Sequence, residues 1–178
     1  LTRAFAADPV YRWIHPDDRE WAHAGPRFFA TLIEHFRRHG TALRTPCGSA
    51  ILLASDPGAV AAWPQLSLAA RLALGLGRRI ARGIRVGAAL ERLRAEEPHH
   101  YVAILGTAPE ARGRGLASGL LGGAAARSEV QGIPLRLETA SEANVSFYAR
   151  HGFEIADEAT VTSAGPRLWA LRRSPIAT

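Results

Sequence analysis

The chain has 178 residues and a mass of 19.1 kDa, the size of one domain with room for a real core. Hydrophobic residues make up 47% and charged residues 21%, an ordinary globular balance, and one cysteine, Cys47, excludes an intramolecular disulfide framework. The formal net charge is +6, and every one of the 22 basic residues is arginine. No strand or helix pattern of interleaved aromatic and basic residues accompanies that charge, so nucleic acid is not an expected partner. The most apolar stretch, 45–70, is interrupted by Asp56, Pro57 and Pro64 and closed by Arg71, so no membrane span is expected. No charged and then apolar leader opens the chain, and with a lone thiol a cytoplasmic protein is expected.

In chain order, Leu1–Ala7 has a helical pattern that Asp8-Pro9 stops. Pro26–Arg38 reads as a helix with proline at its first position and Gly40 past its end. Its apolar face is Phe28, Phe29, Leu32, Ile33 and Phe36. Ala50–Ser55 and Ala59–Trp63 flank Asp56-Pro57-Gly58 and predict a hairpin. Leu66–Leu93 is helical in pattern, with Gly75, Gly77 and Gly83 expected to split it. After Pro98 the pattern changes: strand Tyr101–Thr107, helix Gly115–Val130, strand Pro134–Glu138, helix Ser141–His151, and strands Phe153–Thr160 and Arg167–Leu171. The β-loop-α-β order over 101–138 implies a parallel pair joined by a crossover, and the whole reads as a single α/β domain.

Two segments carry chemistry. Arg112-Gly113-Arg114-Gly115-Leu116-Ala117 sits between a strand and a helix, where backbone N–H groups and the helix dipole favour a phosphate. Glycine permits close approach, and Arg112 and Arg114 can add charge-assisted hydrogen bonds. Arg37-Arg38-His39-Gly40-Thr41-Ala42 has the same spacing, but it follows a helix instead of opening one, so its amides face the wrong way. Farther on, Thr139-Ala140-Ser141-Glu142 has capping-box spacing, and Asn144 and Tyr148 share one face of the helix it starts. His151-Gly152-Phe153 supplies a glycine stop followed by a hydrophobic contact. A phenol held at such a strand–helix crevice can donate a proton to a leaving thiolate.

The run from Tyr101 through Ala117 resembles the fourth strand and motif A of GNAT acyltransferases. Leu137-Glu138-Thr139, Asn144, Tyr148 and Gly152-Phe153-Glu154 are similar to their motif B, and Gly165-Pro166-Arg167-Leu168-Trp169 resembles the puromycin N-acetyltransferase-like branch. The resemblance implies an α/β GNAT fold: a mixed central sheet flanked by helices, whose fourth and fifth strands splay apart. It divides the chain into an acceptor-side half, 1–95, and an acetyl-CoA-binding half, 99–173. It also implies acetyl-CoA as co-substrate, no metal, and a small-molecule amine as acceptor, with a homodimer as one expected assembly. By carry-over, backbone groups around Leu105 and Thr107 hold the pantetheine arm and polarise the thioester carbonyl, while Arg112, Gly113, Arg114, Gly115, Leu116 and Ala117 bind pyrophosphate. Asn144 contacts the cofactor, and Tyr148 both contacts it and protonates the thiolate. The family's first strand has no counterpart before Leu1, so either an upstream piece or a sheet lacking that strand is expected.

An ammonium nucleophile must lose a proton, and Glu138 is the first candidate base, followed by His99, His100 and Glu142. The alternative is a non-catalytic GNAT module that binds acetyl-CoA or CoA as a sensor or structural ligand. His35 and His39 lie one helical turn apart without a third metal ligand, and Cys47 has no placeable histidine partner, so neither is expected to be functional. Gly119, Gly122 and Gly123 in the helix after the phosphate loop suggest close packing on the sheet. Trp13, Trp21 and Trp63 are expected in the core, and the arginines along Arg78–Arg94 on a solvated helix face.

Overall fold

A computed structural model describes residues 1–57 and 76–176. Leu1–Ala7 forms turns and not an α-helix. Asp8 begins the first helix, α1 (Pro9–Ile14), by accepting from the amides of Val10 and Tyr11 at 2.9 and 3.3 Å. The next helix, α2 (Asp18–His39), starts well before Pro26, because Asp17 caps Arg19 and Glu20 at 2.8 and 3.1 Å. Acidic residues fill its first turn and Arg37, Arg38 and His39 its last, matching the helix dipole. Pro26 therefore lies inside the helix, where its missing N–H leaves the Ala22 carbonyl without the usual helical donor.

The hairpin is shifted from the expected one. Strand β1 (Thr41–Arg44) pairs antiparallel with β2 (Ala50–Ser55) through a turn in which Thr45 Oγ1 accepts from Ala50 N at 3.1 Å. The other edge of β2 is taken by β3 (His100–Thr107). Residues 59–63 and 66–75, where the second hairpin arm and the start of the long helix were expected, lie outside the described residues. A short 3₁₀ turn, Gly77–Arg79, leads into α3 (Ile80–Arg92), which runs unbroken through Gly83. The remaining elements follow the expected order: α4 (Leu116–Gln131), β4 (Leu135–Thr139), α5 (Glu142–Ala149), β5 (Glu154–Thr160) and β6 (Arg167–Arg173).

The sheet order is β1-β2-β3-β4-β6-β5, with β3 and β4 parallel and the other pairs antiparallel. No strand precedes β1 in the described residues, so β1 is an edge of this sheet. Strand alternation sends Leu53 to the α2 side, with Phe29, Leu32 and Phe36, and Leu52 to the opposite side, with Leu121 of α4 and Tyr148 of α5. A third cluster joins Ile14 of α1 and Val86 and Ala89 of α3 to Leu168 and Ala170 of β6. Close packing does not explain the glycines of α4. A Cβ added at Gly119, Gly122 or Gly123 would meet nothing within 4 Å.

Candidate active site

Strands β3 and β4 pair only at His100 with Leu135 and Tyr101 with Arg136. Beyond that point β3 keeps β2 as its neighbour and β4 keeps β6, so the two parallel strands diverge. The β2–β3 register steps from Leu53↔Ile104 to Ala54↔Val102, which leaves Ala103 as an extra residue. Such a bulge breaks the strict alternation of side chains between the two faces. Val102 accordingly packs on the α4 side and Ile104 on the α2 side, although alternation alone would place them together. A cavity of about 440 Å³ opens where the strands part, within the usual range for small-molecule sites.

Glu138, Leu105, Asn144 and Tyr148 all line this cavity. Tyr101 Oη donates to Glu138 Oε2 at 2.5 Å. Burial pushes the Glu138 carboxyl up to about 7, against the opposing pull of the Tyr101 hydrogen bond and the Arg136 charge. Tyr148 is buried on α5, and desolvation, aided by the negative charge of Asp8, raises its pKa, so the phenol keeps its proton. Local sequence sets this helix. Ser141 is its N-cap without a side-chain bond of its own, and Thr139 Oγ1 accepts from Ser141 N and Asn144 Nδ2, both at 3.3 Å. The expected Thr139–Glu142 capping box is thus replaced by a threonine that secures the first turn and Asn144 together. At the other end Gly152, at φ +81°, lets Phe153 turn back to donate to the Tyr148 carbonyl at 3.2 Å, with the two rings 5.6 Å apart.

The loop 112–117 and Thr107 are not among the residues that line the cavity. Gly113 and Gly115 have φ of +75° and +73°, and Gly115 caps α4 with no side-chain acceptor for the first-turn amides of Leu116 and Ala117. An added Cβ at either glycine would point into open space. Arg112 donates to Ala4 O at 2.9 Å and Arg114 to Glu110 O at 3.2 Å, so both guanidinium groups are held beside the loop. The Oγ1 of Thr107, at the end of β3, is buried without a hydrogen-bond partner. Uncapped amides, an open glycine cradle and an unpartnered hydroxyl are donor groups that fit the phosphates and amide-bearing arm of a coenzyme A thioester.

The other candidate bases stay outside. His99 Nδ1 lies 2.7 Å from Glu97 O, His100 Nε2 lies 2.9 Å from Gln131 Oε1, and Glu142 is exposed; none lines the cavity. The rings of His35 and His39 sit 5.0 Å apart, and no group of three metal-ligating side chains occurs among the described residues. Cys47 is exposed in the β1–β2 turn, where hydrogen bonds from Thr45 and Ser49 lower its thiol to about 7. Of the tryptophans, Trp21 lines the cavity, Trp13 packs on the α1–α3 cluster, and Trp63 lies outside the described residues. Several arginines of 78–94 are tied to the protein: Arg78 and Arg79 grip Glu20, Arg82 donates to Trp13 O, and Arg92 donates to Thr160 O. No helix among the described residues is long and apolar enough to cross a membrane.

Among the polar residues of the cavity wall, sequence reasoning gave no site role to Asp8, Tyr11, His15 or Tyr101. Asp8 showed only as a helix stop, yet its Oδ1 takes both capping amides while the carboxyl faces the cavity. Burial raises its pKa, and the amides of Tyr11 and Val10 pull it back down.

Residues 75–155 match the acetyltransferase (GNAT) domain family. Among solved structures, the chain resembles a Corynebacterium glutamicum protein described as histone acetyltransferase HPA2 and related acetyltransferase. That match has 23% identity over 100% of this chain and 88% of that one, with a TM-score of 0.70. Arylalkylamine N-acetyltransferase 2 from Aedes aegypti aligns at 12% identity, 98% and 90% coverage and a TM-score of 0.63. Naa20 from Chaetomium thermophilum, solved with a bisubstrate analogue, aligns at 11% identity, 90% and 83% coverage and a TM-score of 0.52. With its diverging parallel strands, its glycine-opened α4 and this family match, the chain has the α/β GNAT fold and carries an acetyltransferase (GNAT) domain match over residues 75–155.

Proposed function

We propose that this chain is an acetyl-CoA-dependent N-acetyltransferase acting on the amino group of a small molecule. The observation that carries the reading is that Glu138 and Tyr148, one carboxyl near neutrality and one phenol held protonated, face the same cavity at the strand divergence. Acetyl-CoA supplies the activated acetyl thioester. The first-turn amides of α4, with Arg112, Gly113, Arg114, Gly115, Leu116 and Ala117, bind its pyrophosphate. Leu105 and Thr107, on the stretch of β3 that β4 leaves, hold the pantetheine arm, and Asn144 secures it from α5.

Glu138 in its carboxylate form accepts a proton from the substrate ammonium, freeing the nitrogen lone pair to attack the acetyl carbonyl carbon. As the C–S bond breaks, Tyr148 donates its phenolic proton to the departing sulfur. The acetylated nitrogen, cationic after the attack, gives its second proton to the Tyr148 phenolate, and Glu138 returns the first to solvent, leaving amide, free thiol and one released proton. Holding amine and thioester in one crevice supplies about 7–11 kcal/mol in favourable cases by making the attack nearly unimolecular. We read the chain as a single domain with an acceptor-side half, 1–95, and a coenzyme half, 99–173, and the residues that α1, α2 and α3 contribute to the cavity wall support that reading. The narrower likeness to puromycin N-acetyltransferases rests on Gly165–Trp169, of which Leu168 alone reaches the cavity. Calorimetric titration with acetyl-CoA, and then thiol release in the presence of a panel of primary amines, tests the proposal. Absence of heat, or heat with no amine-dependent thiol release, overturns it.

A further inference from the structure

The charge lining the cavity is opposite to the charge of the chain. With 22 basic residues and a net +6, the chain places no arginine among the described cavity-lining residues, whereas Asp8 and Glu138 both face inward. A mostly apolar cavity whose described lining holds two carboxyl groups and no arginine favours a cationic guest.

The body of that guest is set by the walls. Phe5, Tyr11, Trp21 and Phe28 form an interlocked aromatic shelf: Phe5–Tyr11 and Tyr11–Phe28 meet edge to face and Tyr11–Trp21 is tilted, with ring centroids 5.4, 5.4 and 5.0 Å apart. The lining also includes aliphatic side chains of α3, Ile84 and Leu90 among them. Fixed rings together with aliphatic groups suit a flat or branched apolar substituent, because the shelf loses no side-chain freedom when it is covered.

The number of charges is limited at His15. His15 is 5% exposed, and its Nδ1 has no hydrogen-bond partner. The nearest carboxylate, Glu20 Oε2 at 3.9 Å, is already held by Arg79 at 3.0 Å and by Arg78. Arg82 is anchored on the Trp13 carbonyl of the same helix that ends beside His15. A second ammonium extending to this side would find its carboxylate neutralised and guanidinium groups nearby. Burial, with the charges of Arg79 and Arg82, lowers the His15 pKa against the pull of Glu20, so its ring suits an uncharged polar substituent instead.

Building on the N-acetyltransferase reading, we propose that the acceptor is a primary amine with one positive charge and an aromatic or branched apolar body. Its ammonium faces Asp8 and Glu138 and its body lies on the Tyr11–Trp21 shelf. Polyamines and multiply charged aminoglycosides are excluded as preferred acceptors.

The test measures binding and transfer separately on the full chain, by calorimetry and by thiol release. It uses 2-phenylethylamine, its uncharged isostere 2-phenylethanol, and spermidine. We expect 2-phenylethylamine to bind at least about tenfold tighter than either comparator, and Asp8→Asn to weaken it by about tenfold or more while 2-phenylethanol binding is unchanged. Asparagine caps α1 as well as aspartate does, and the alcohol serves as a control for an intact cavity. Equal binding of alcohol and amine, tighter binding of spermidine, or an amine affinity unaffected by Asp8→Asn overturns the inference. Binding of 2-phenylethylamine without its acetylation overturns the transfer reading and leaves the cavity's preference standing. Acetylation of spermidine in preference to 2-phenylethylamine does the reverse.

Discussion

Tyr101 and Glu138 are joined by a 2.5 Å hydrogen bond at the point where β3 and β4 separate. Tyr101 belongs to the last paired position of the two strands, and Glu138 lies two residues beyond that pair's Arg136 on β4. The hydroxyl therefore bridges the opening mouth of the sheet and stabilises the ionised carboxylate. Desolvation opposes that effect and wins, leaving Glu138 at about 7, where a carboxylate can both take and release a proton.

A pH dependence of turnover is the direct consequence. Glu138 accepts a proton only when ionised, so kcat/KM for an amine rises with pH up to about 7 and then levels off as far as this group is concerned. Glu138→Gln should lower activity about 10²–10⁴-fold and remove that limb. Tyr101→Phe takes away a bond that lowers the Glu138 pKa, so the limb should move to higher pH. A rate profile recorded from about pH 5 to 9 for the three proteins checks this, and an unmoved limb in Glu138→Gln assigns the base elsewhere.

The same group has a stability signature of opposite sense to an ordinary salt-bridged acid. The folded chain retains a proton that the unfolded chain releases at the usual 4.5, so stability falls as pH rises from 4.5 to about 7 and is flat for this group above that. Urea midpoints across that window should show a shallower fall for Glu138→Gln than for the parent.

Tyr148→Phe should leave the fold and acetyl-CoA affinity nearly unchanged, because the ring stays in its place against Phe153 and only the hydroxyl is lost. Turnover should fall about 10²–10⁴-fold if the phenol is the acid. Calorimetry and steady-state kinetics on one preparation separate the two quantities, and unchanged turnover removes Tyr148 from the chemistry.

Glu20 ties the start of α2 to Arg78 and Arg79, just before α3, and these two guanidinium groups hold its carboxyl down at about 2. Here the folded state binds fewer protons than the unfolded chain. The stabilisation is present above 4.5 and lost as pH falls toward about 2. Glu20→Gln should lower the melting temperature at neutral pH and flatten this acid loss, with both effects reduced in high salt because the pair is solvent-screened.

Gly122 and Gly123 sit in α4 with open space where a Cβ would project. Alanine at either position should stabilise the chain by about 0.4–1 kcal/mol, chiefly by restricting the unfolded state. A drop in the denaturation midpoint would instead show that one of them meets a neighbour.

How much of this was legible in the residues depends on the range over which each feature is set. The elements from His100 to Arg173 keep the predicted order within a few residues, because strand and helix periods, the paired glycines of 113–115 and the Gly152 stop act over neighbouring positions. The same local patterns put Asn144 and Tyr148 on one helix face. Before Pro98 the local cues competed. Pro26 looked like a helix start, yet the Asp17 cap prevails in the fold, where Trp21, Phe29, Leu32 and Phe36 bury one continuous face of a longer helix. Asp56-Pro57-Gly58 looked like the better turn, but β2 has one edge taken by β1 and the other by β3.

By itself, the sequence determined the strand–loop–helix order, the glycine-opened α4 and the positions of the phenol and carboxyl. Only the tertiary structure decided that Asp8 and Tyr11, distant in sequence from Glu138 and Tyr148, share their cavity. It also decided where β3 and β4 part and where Ala103 shifts the register. Such features arise from packing between distant segments and from the desolvation it imposes, and no local pattern of residue types encodes either one.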